Sequence, residues 1–154
     1  MTRAVNTALA GSGGVLQVVS AGTSSEVFTT AQNTWVSSGL SATITPSSAN
    51  SRILILASQN IGMDGSSETD QQVNLSIFRD STLIFGVMQF DDLRMNPIAD
   101  ATWRAGLSFL DSPATTSAVT YTTRGSMRLP ASGSTMKMQY SGVPSSMVLL
   151  EIAG

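Results

Sequence analysis

Apolar and polar residues alternate in short runs along most of the chain. In Val73–Phe78, every second residue from Val73 to Ile77 is apolar and the residues between them are polar. Leu40–Thr45 and Ala118–Arg124 alternate in a similar way. Successive side chains of a β-strand point to opposite faces, so this alternation gives each strand one apolar face and one face rich in hydroxyls. Strands of this kind are typical of antiparallel sheets that pack face to face.

The alternating runs lie between clusters of Gly, Pro, Asn, Asp and Ser, which commonly separate strands. No long window has the 3.6-residue apolar period of a helix, and Pro97 interrupts the one stretch that could hold a helical turn, Asp91–Ala101. The pattern predicts strands at Val15–Ser20, Glu26–Thr30, Thr34–Ser37, Leu40–Thr45, Arg52–Ile61, Val73–Arg79, Thr82–Met88, Thr102–Leu110, Ala118–Arg124, Thr135–Tyr140 and Ser146–Ile152.

A few positions add detail to this pattern. Arg52–Ala57 is apolar on both faces, which predicts either a central strand or a strand whose outer face meets another subunit. Arg79–Thr82 is typical of a tight hairpin. Gly106, inside a predicted strand, indicates a bulge or a close approach of another backbone. Asp111 is expected to end its strand by bonding the backbone two residues on.

Many short strands separated by regular turns predict an all-β sandwich or barrel. The length of 154 residues is typical of one domain. Residues 1–14 differ from the rest because they are small, polar and rich in glycine. We therefore expect an N-terminal arm over 1–14, ending in a flexible Gly11–Gly14 hinge, and a β-sandwich domain over 15–154.

The lack of Cys and His excludes several common kinds of catalytic and metal-binding site. The chain has no Cys and no His, so it cannot form disulfides, Cys-based zinc sites, thiol nucleophiles or a Ser-His-Asp triad. Histidine is also the commonest general base. We therefore expect a structural or binding protein, with no enzyme activity, no cofactor and no metal site.

Charge is sparse, since Asp, Glu, Lys and Arg make up 12% of the residues and the net charge is −2. Nucleic-acid binding needs a basic patch, so we expect no nucleic-acid partner. The longest apolar runs, Ile53–Ala57 and Met147–Leu150, are far shorter than the ~20 residues that span a bilayer, and we expect no membrane partner. A sparsely charged surface protects a free monomer poorly. Either much of it faces other subunits, or hydroxyl groups cover an ordinary polar surface.

Several segments resemble small virion proteins and fibre-tip domains of tailed bacteriophages, notably those of marine phages and cyanophages. The resemblance covers about residues 15–153, and its most specific parts are the pair ITPSS…SRILI and FLDSPATT. The segments that carry it are Val15–Val19, Thr34–Ser48, Ser51–Leu56, Ser108–Thr116 with Thr120 and Tyr121, and Leu149–Ala153. Such domains are jelly rolls that assemble as trimers, so the resemblance implies a jelly-roll-like antiparallel β-sandwich and a homotrimer.

The resemblance also implies a function. It favours a viral structural protein made in the host cytoplasm, a capsid decoration (cement) protein bound as a trimer to the outer capsid surface of the virion. There it would contact the major capsid protein and stabilise the head. The alternative is a receptor-binding knob of a tail or head fibre that recognises host surface glycan. No long shaft precedes the predicted sandwich, which favours the capsid-bound protein.

The arm is the candidate attachment segment. Arg3, Val5 and Leu9 occupy odd positions among small residues, which fits an extended strand that adds to a sheet edge and places alternate side chains in pockets. We therefore expect these three residues to bind the major capsid protein. The alternative is an arm that folds onto its own trimer or frays.

Two acidic loops have a less specific composition. Asp64–Asp70 offers oxygen ligands for Ca²⁺ but lacks the EF-hand spacing, so a solvated turn is favoured. Asp91, Asp92 and Asp100 lie on a predicted polar loop, where contact with a partner is favoured over acid/base catalysis.

The aromatic and methionine residues are predicted mainly to fill the core. Core burial is favoured for Trp35 and Tyr121, with sugar stacking or a subunit contact as the alternative. Met136 and Met138 share one face of a strand and Lys137 the other, so the two methionines are expected to be buried.

Overall fold

The computed structural model describes residues 3–5, 14–64, 72–86, 88–90, 101–129 and 135–154. Apart from a short 3₁₀ turn at Tyr140–Gly142, the regular elements in these ranges are strands. The strands are β1 (Arg3–Val5), β2 (Val15–Thr23), β3 (Val27–Thr29), β4 (Val36–Ile44), β5 (Arg52–Asp64), β6 (Gln72–Arg79), β7 (Thr82–Leu83), β8 (Met88–Phe90), β9 (Ala101–Asp111), β10 (Val119–Leu129), β11 (Thr135–Met138) and β12 (Ser145–Ile152).

The strands form two antiparallel sheets. The larger has seven strands in the order β1-β2-β12-β5-β11-β3, with β9 paired to the other side of β5. The smaller has the order β4-β10-β6-β7, with β8 also paired to β6. The central strand orders are therefore β2-β12-β5-β9 and β4-β10-β6-β7/β8, which is the double Greek-key arrangement of a jelly roll. This confirms the predicted fold class.

The core lies between the two sheets and follows the alternation in the sequence. In β4, Leu40, Ala42 and Ile44 are buried, while the residues between them are exposed. Met136 and Met138 are fully buried, as predicted, and Lys137 between them is not. Period-2 alternation is a local property of extended backbone, which is why the sequence predicts the inward face of these strands.

The strand β5 is central, as its doubly apolar sequence predicts. It pairs with β9 along one side, from Ile53 opposite Asp111 to Met63 opposite Ala101. Its other side pairs first with β12 and then with β11. No strand in the described part of the chain pairs with the other side of β9.

Some strand boundaries differ from the prediction. The predicted strands Thr34–Ser37 and Leu40–Thr45 belong to one strand, β4, which continues through Gly39 at a φ of +78°. A positive φ costs glycine little, so the strand bends without ending. The hairpin after β6 is confirmed, with Asp80 at a φ of +53° in its turn.

The strand β6 departs from the expectation of one exposed polar face. Val73, Leu75 and Ile77 face the core as predicted, but Asn74 and Ser76 on the opposite face are also buried. Alternation identifies the apolar face and cannot show whether other parts of the chain cover the second one.

Part of the predicted arm joins the larger sheet. Arg3–Val5 form β1, which pairs with β2 so that Arg3 lies opposite Ser20 and Val5 opposite Val18. Within the described ranges, no helix is long and apolar enough to cross a membrane.

Candidate interaction surface

The outer face of the larger sheet carries a set of apolar side chains that turn away from the core. They come from four neighbouring strands, and the strand register makes them adjacent. We call this surface the apolar face; it comprises Val18, Leu54, Leu56, Leu110, Val148 and Leu150.

The register orders the apolar face into rows. In one row, Leu150 lies opposite both Val18 and Leu54, and Leu54 lies opposite Leu110. In the next row Val148 lies opposite Leu56. Leu56 and Leu110 are 42% and 43% exposed, which is high for leucines on central or long strands. Contiguous exposed apolar surface of this kind commonly marks an interaction site.

A shallow, open groove of about 500 Å³ lies on the apolar face where its side chains are smallest. Gly106, Ser108 and Ser146 line it together with Leu56 and Val148. The register through Gly106 is continuous, so the predicted bulge is wrong, and a Cβ built on Gly106 meets nothing within 4 Å. The predicted close backbone approach is therefore also absent within the described chain.

We expect Gly106→Ala to raise the free energy of unfolding by about 0.5 kcal/mol. Alanine removes backbone freedom from the unfolded chain, and its methyl group enters open space in a strand with ordinary φ. Gly125→Ala is the matched control, because a Cβ there meets the side chains of Met136 and Met138, so this variant should lose stability. Urea unfolding measures both. A loss of stability in Gly106→Ala would show that something occupies the space above it.

The ends of the apolar face carry positive charge. Arg52 is exposed at one end of β5. Arg104 is exposed on β9, and its Nη1 donates to Ser58 Oγ at 3.1 Å and to the Pro144 carbonyl at 3.2 Å. The strand positions between these arginines on this face hold no Asp or Glu. In the part of the chain that the structure describes, neither arginine forms an ion pair with a carboxylate.

A partly buried ion pair at one edge of the sandwich ties the two sheets together. Asp111, at the end of β9, accepts hydrogen bonds from Arg79 Nη1 at 2.8 and 3.0 Å and from Tyr121 Oη at 2.7 Å. Burial, and then the hydrogen bond to Asp111, raise the pKa of Tyr121 above its ordinary range, so its hydroxyl stays a donor. The Asp111 side chain therefore binds the opposite sheet, which corrects the prediction that it would bond its own turn.

A second buried carboxylate fixes the loop between β4 and β5. Glu151 is fully buried and accepts from Gln17 Nε2 at 2.6 Å and from the backbone N–H and hydroxyl of Ser47 at 2.7 and 2.6 Å. Burial acts to raise the pKa of Glu151, but these hydrogen bonds outweigh it and hold the pKa below its ordinary value. Glu151 thereby holds the loop against β12.

The inter-sheet core also contains a polar chain. Thr123 Oγ1 donates to Gln59 Oε1 at 2.8 Å and accepts from Ser38 Oγ at 2.6 Å. All three residues are fully buried, and they link β4, β5 and β10. The sheet that carries the apolar face is thus anchored to the other sheet by polar as well as apolar contacts.

Some residues predicted for the site lie in the structure and others do not. Arg3 and Val5 lie in β1, whose register continues the rows of the apolar face beyond β2. Leu9 and the acidic positions 68, 70, 91, 92 and 100 lie outside the described residues, and Asp64 ends β5. The described residues hold no cluster of three metal-ligating His, Cys, Asp or Glu side chains.

The aromatic residues divide between the core and the outer faces. Tyr121 is fully buried, as predicted. Trp35 is only partly buried and packs edge-on against Phe78 at 5.5 Å, and the Arg124 guanidinium lies 4.3 Å from the centre of the Phe78 ring. Phe78 is itself buried but lies outside the core cluster, and Trp35 is neither fully buried nor packed against that cluster, so the prediction of core burial is wrong for Trp35.

Sequence reasoning identified only part of the apolar face. It singled out Arg52–Ala57 as doubly apolar and thereby found Leu54 and Leu56. The same signal is present in Met147–Leu150, where an unbroken apolar run leaves Val148 and Leu150 pointing away from the core. Val18 and Leu110 have no comparable signal, because only the register places them beside the others.

The strand order defines the chain as a jelly-roll β-sandwich. No protein-family model matches the chain, and no curated protein matches it in sequence. Among solved structures, it is similar to VP2 in the subviral particle of infectious bursal disease virus, with a TM-score of 0.44 and 13% identity. The match covers 89% of this chain and 37% of the VP2 chain, so the chain spans little more than a third of that protein.

Proposed function

We propose that the chain is a structural protein of a virion, bound to the outer surface of the capsid as a decoration protein that stabilises the head. The observation that carries the proposal is the apolar face, which lies outside the core between the sheets and which the described residues leave partly exposed. The sequence resemblance to small phage virion proteins supplies the class of partner, a major capsid protein. Jelly rolls serve as viral capsid domains, although they also serve as lectins, and fold alone does not decide function.

The location of the protein on the particle tests this proposal. Gold-labelled antibody against the purified protein, applied to intact virions, should mark the whole head surface. Labelling confined to the tip of a tail or fibre would contradict decoration and favour the alternative, a receptor-binding knob for host glycan. Labelling of no particle would contradict both.

The protein is expected to form a homotrimer. No strand in the described ranges pairs with the outer side of the 11-residue strand β9, and a closed ring of copies would cover such an edge. Sedimentation equilibrium at micromolar concentration should give three times the 16.1 kDa chain mass. A single species at 16.1 kDa, both free and after release from the particle, would contradict the trimer.

The arm is proposed as an anchor to the capsid, through Arg3, Val5 and Leu9. β1 has β2 on one side, and no described strand pairs with its other side, where a strand of the capsid protein could add. Three arms per trimer would raise occupancy through effective concentration.

Deleting residues 2–10 should reduce occupancy on particles depleted of the protein while leaving the sandwich folded. Circular dichroism and sedimentation provide the folding control. Unchanged occupancy of a folded, trimeric deletion variant would show that the anchor lies elsewhere. Loss of the trimer itself would favour the alternative in which the arm packs onto its own assembly.

A further inference from the structure

The size of the apolar face limits what can cover it. Four strands at a spacing of ~4.8 Å and two rows of outward residues at ~6.8 Å give an area of roughly 260 Å². Any partner that covers only this face would bury roughly 500 Å² in total, below the ~1,000 Å² that a stable specific interface needs, so a stable contact must extend beyond the apolar residues to the charged border.

The charges around the apolar face disfavour a second copy as its partner. The Arg104 guanidinium binds Ser58, which lies six positions beyond Arg52 in β5, so the two cations are separated by roughly 20 Å along the strand. A two-fold pairing of this face with itself would oppose arginines with no carboxylate between them. A complementary surface instead carries carboxylates at both ends.

The groove indicates what should lie between those carboxylates. Its floor at Gly106 is open, and Leu56 and Val148 form apolar walls beside it. A shallow groove of this form has room for one apolar side chain of a partner, and a few side chains near the centre of an interface contribute most of its binding energy.

We propose that the apolar face is the surface by which this protein docks on the capsid, and that it fits a protein surface with an apolar centre bordered by carboxylates about 20 Å apart. This proposal rests on the virion role proposed above. The apolar centre seats an anchor residue in the groove at Gly106, and Arg52 and Arg104 pair with the flanking carboxylates. The docking contact thereby involves β2, β12, β5 and β9, on which no arm residue lies.

Binding of purified variants to particles depleted of this protein tests the proposal. Leu56→Asp and Leu110→Asp should each weaken binding at least about tenfold, because each places a charge in the apolar centre. Leu83→Asp is the matched control, since Leu83 is 40% exposed on β7 of the other sheet, and it should bind like the wild type. Gly106→Leu fills the groove and should weaken binding without unfolding the protein.

Charge reversal tests the border separately. Arg52→Glu and Arg104→Glu should each weaken binding several-fold, and the loss should shrink as salt concentration rises. Arg128→Glu is the control, because Arg128 is exposed on β10 of the smaller sheet. Equal losses in all three variants would indicate a general charge effect and would overturn the proposed border.

The outcomes separate this proposal from the one on which it rests. If the wild-type protein does not bind depleted particles, the virion role fails and the docking surface fails with it. If the wild type binds and the folded Leu56→Asp, Leu110→Asp and Gly106→Leu variants bind equally well, only the docking surface is wrong. If these variants instead break the oligomer into monomers, the apolar face is a contact between copies and the proposal is overturned.

Discussion

Replacing Asp111 with asparagine is expected to lower the free energy of unfolding by about 2–3 kcal/mol, the largest effect expected from any single isosteric change in this protein. Asp111 is buried and holds both Arg79 and Tyr121. Removing one partner of a buried ion pair leaves the other charge without compensation, which costs more than the pair contributes. The expected loss lies below the roughly 3–5 kcal/mol usual for a fully buried pair, because the Arg79 side chain is 26% exposed.

Tyr121→Phe is the matched variant for this prediction. It removes one donor to Asp111 but leaves the pair with Arg79 intact, so the expected loss is about 1 kcal/mol. Urea unfolding followed by tryptophan fluorescence measures both variants. Equal losses in the two variants would contradict the assignment of the larger effect to the ion pair.

Replacing Glu151 with glutamine is expected to lower the free energy of unfolding at pH 7 by about 2 kcal/mol, because three hydrogen bonds to a charged acceptor weaken at once. The difference in unfolding free energy between the wild type and Glu151→Gln should depend on pH. The folded-state pKa of Glu151 is below its ordinary value of 4.5, so its contribution is fully present above that value. It should be lost progressively as pH falls below 4.5 and through the folded-state pKa.

The measurement is the difference in unfolding free energy between the wild type and Glu151→Gln from pH 7 to pH 2. Glu26→Gln is the control, because it makes the same change of side chain at an exposed position in the loop before β3. A wild-type advantage that persists unchanged at the lowest pH would contradict the role assigned to the charged carboxylate.

The sequence by itself predicted the all-β class and the inward face of most strands. Leu40, Ala42 and Ile44 in β4, and Met136 and Met138 in β11, are buried as their alternation predicts. The doubly apolar run Arg52–Ala57 correctly indicated a central strand. These inferences succeeded because alternation of side chains is a property of extended backbone, which neighbouring residues determine locally.

The composition of the apolar face was predicted only in part. Leu54 and Leu56 were visible in a doubly apolar run, but an exposed leucine in an alternating strand carries no sequence signal of its own. Leu110 joins the face because β9 pairs with β5 in one particular register, and Val18 joins it because β2 pairs with β12. A shift of one residue in either pairing would turn these side chains toward the core.

The sequence by itself therefore determined which residues alternate inward, and with them the class of fold. Its lack of Cys and His also excluded disulfides and thiol nucleophiles in this chain. Only the tertiary structure decided which strands lie side by side, and so which apolar side chains share an outer face. It alone brought Gln17 to Glu151 and Arg79 to Asp111, contacts between residues 134 and 32 positions apart. Such contacts depend on strand order and register, which the whole core determines through the burial of both sheets, and no local pattern encodes them.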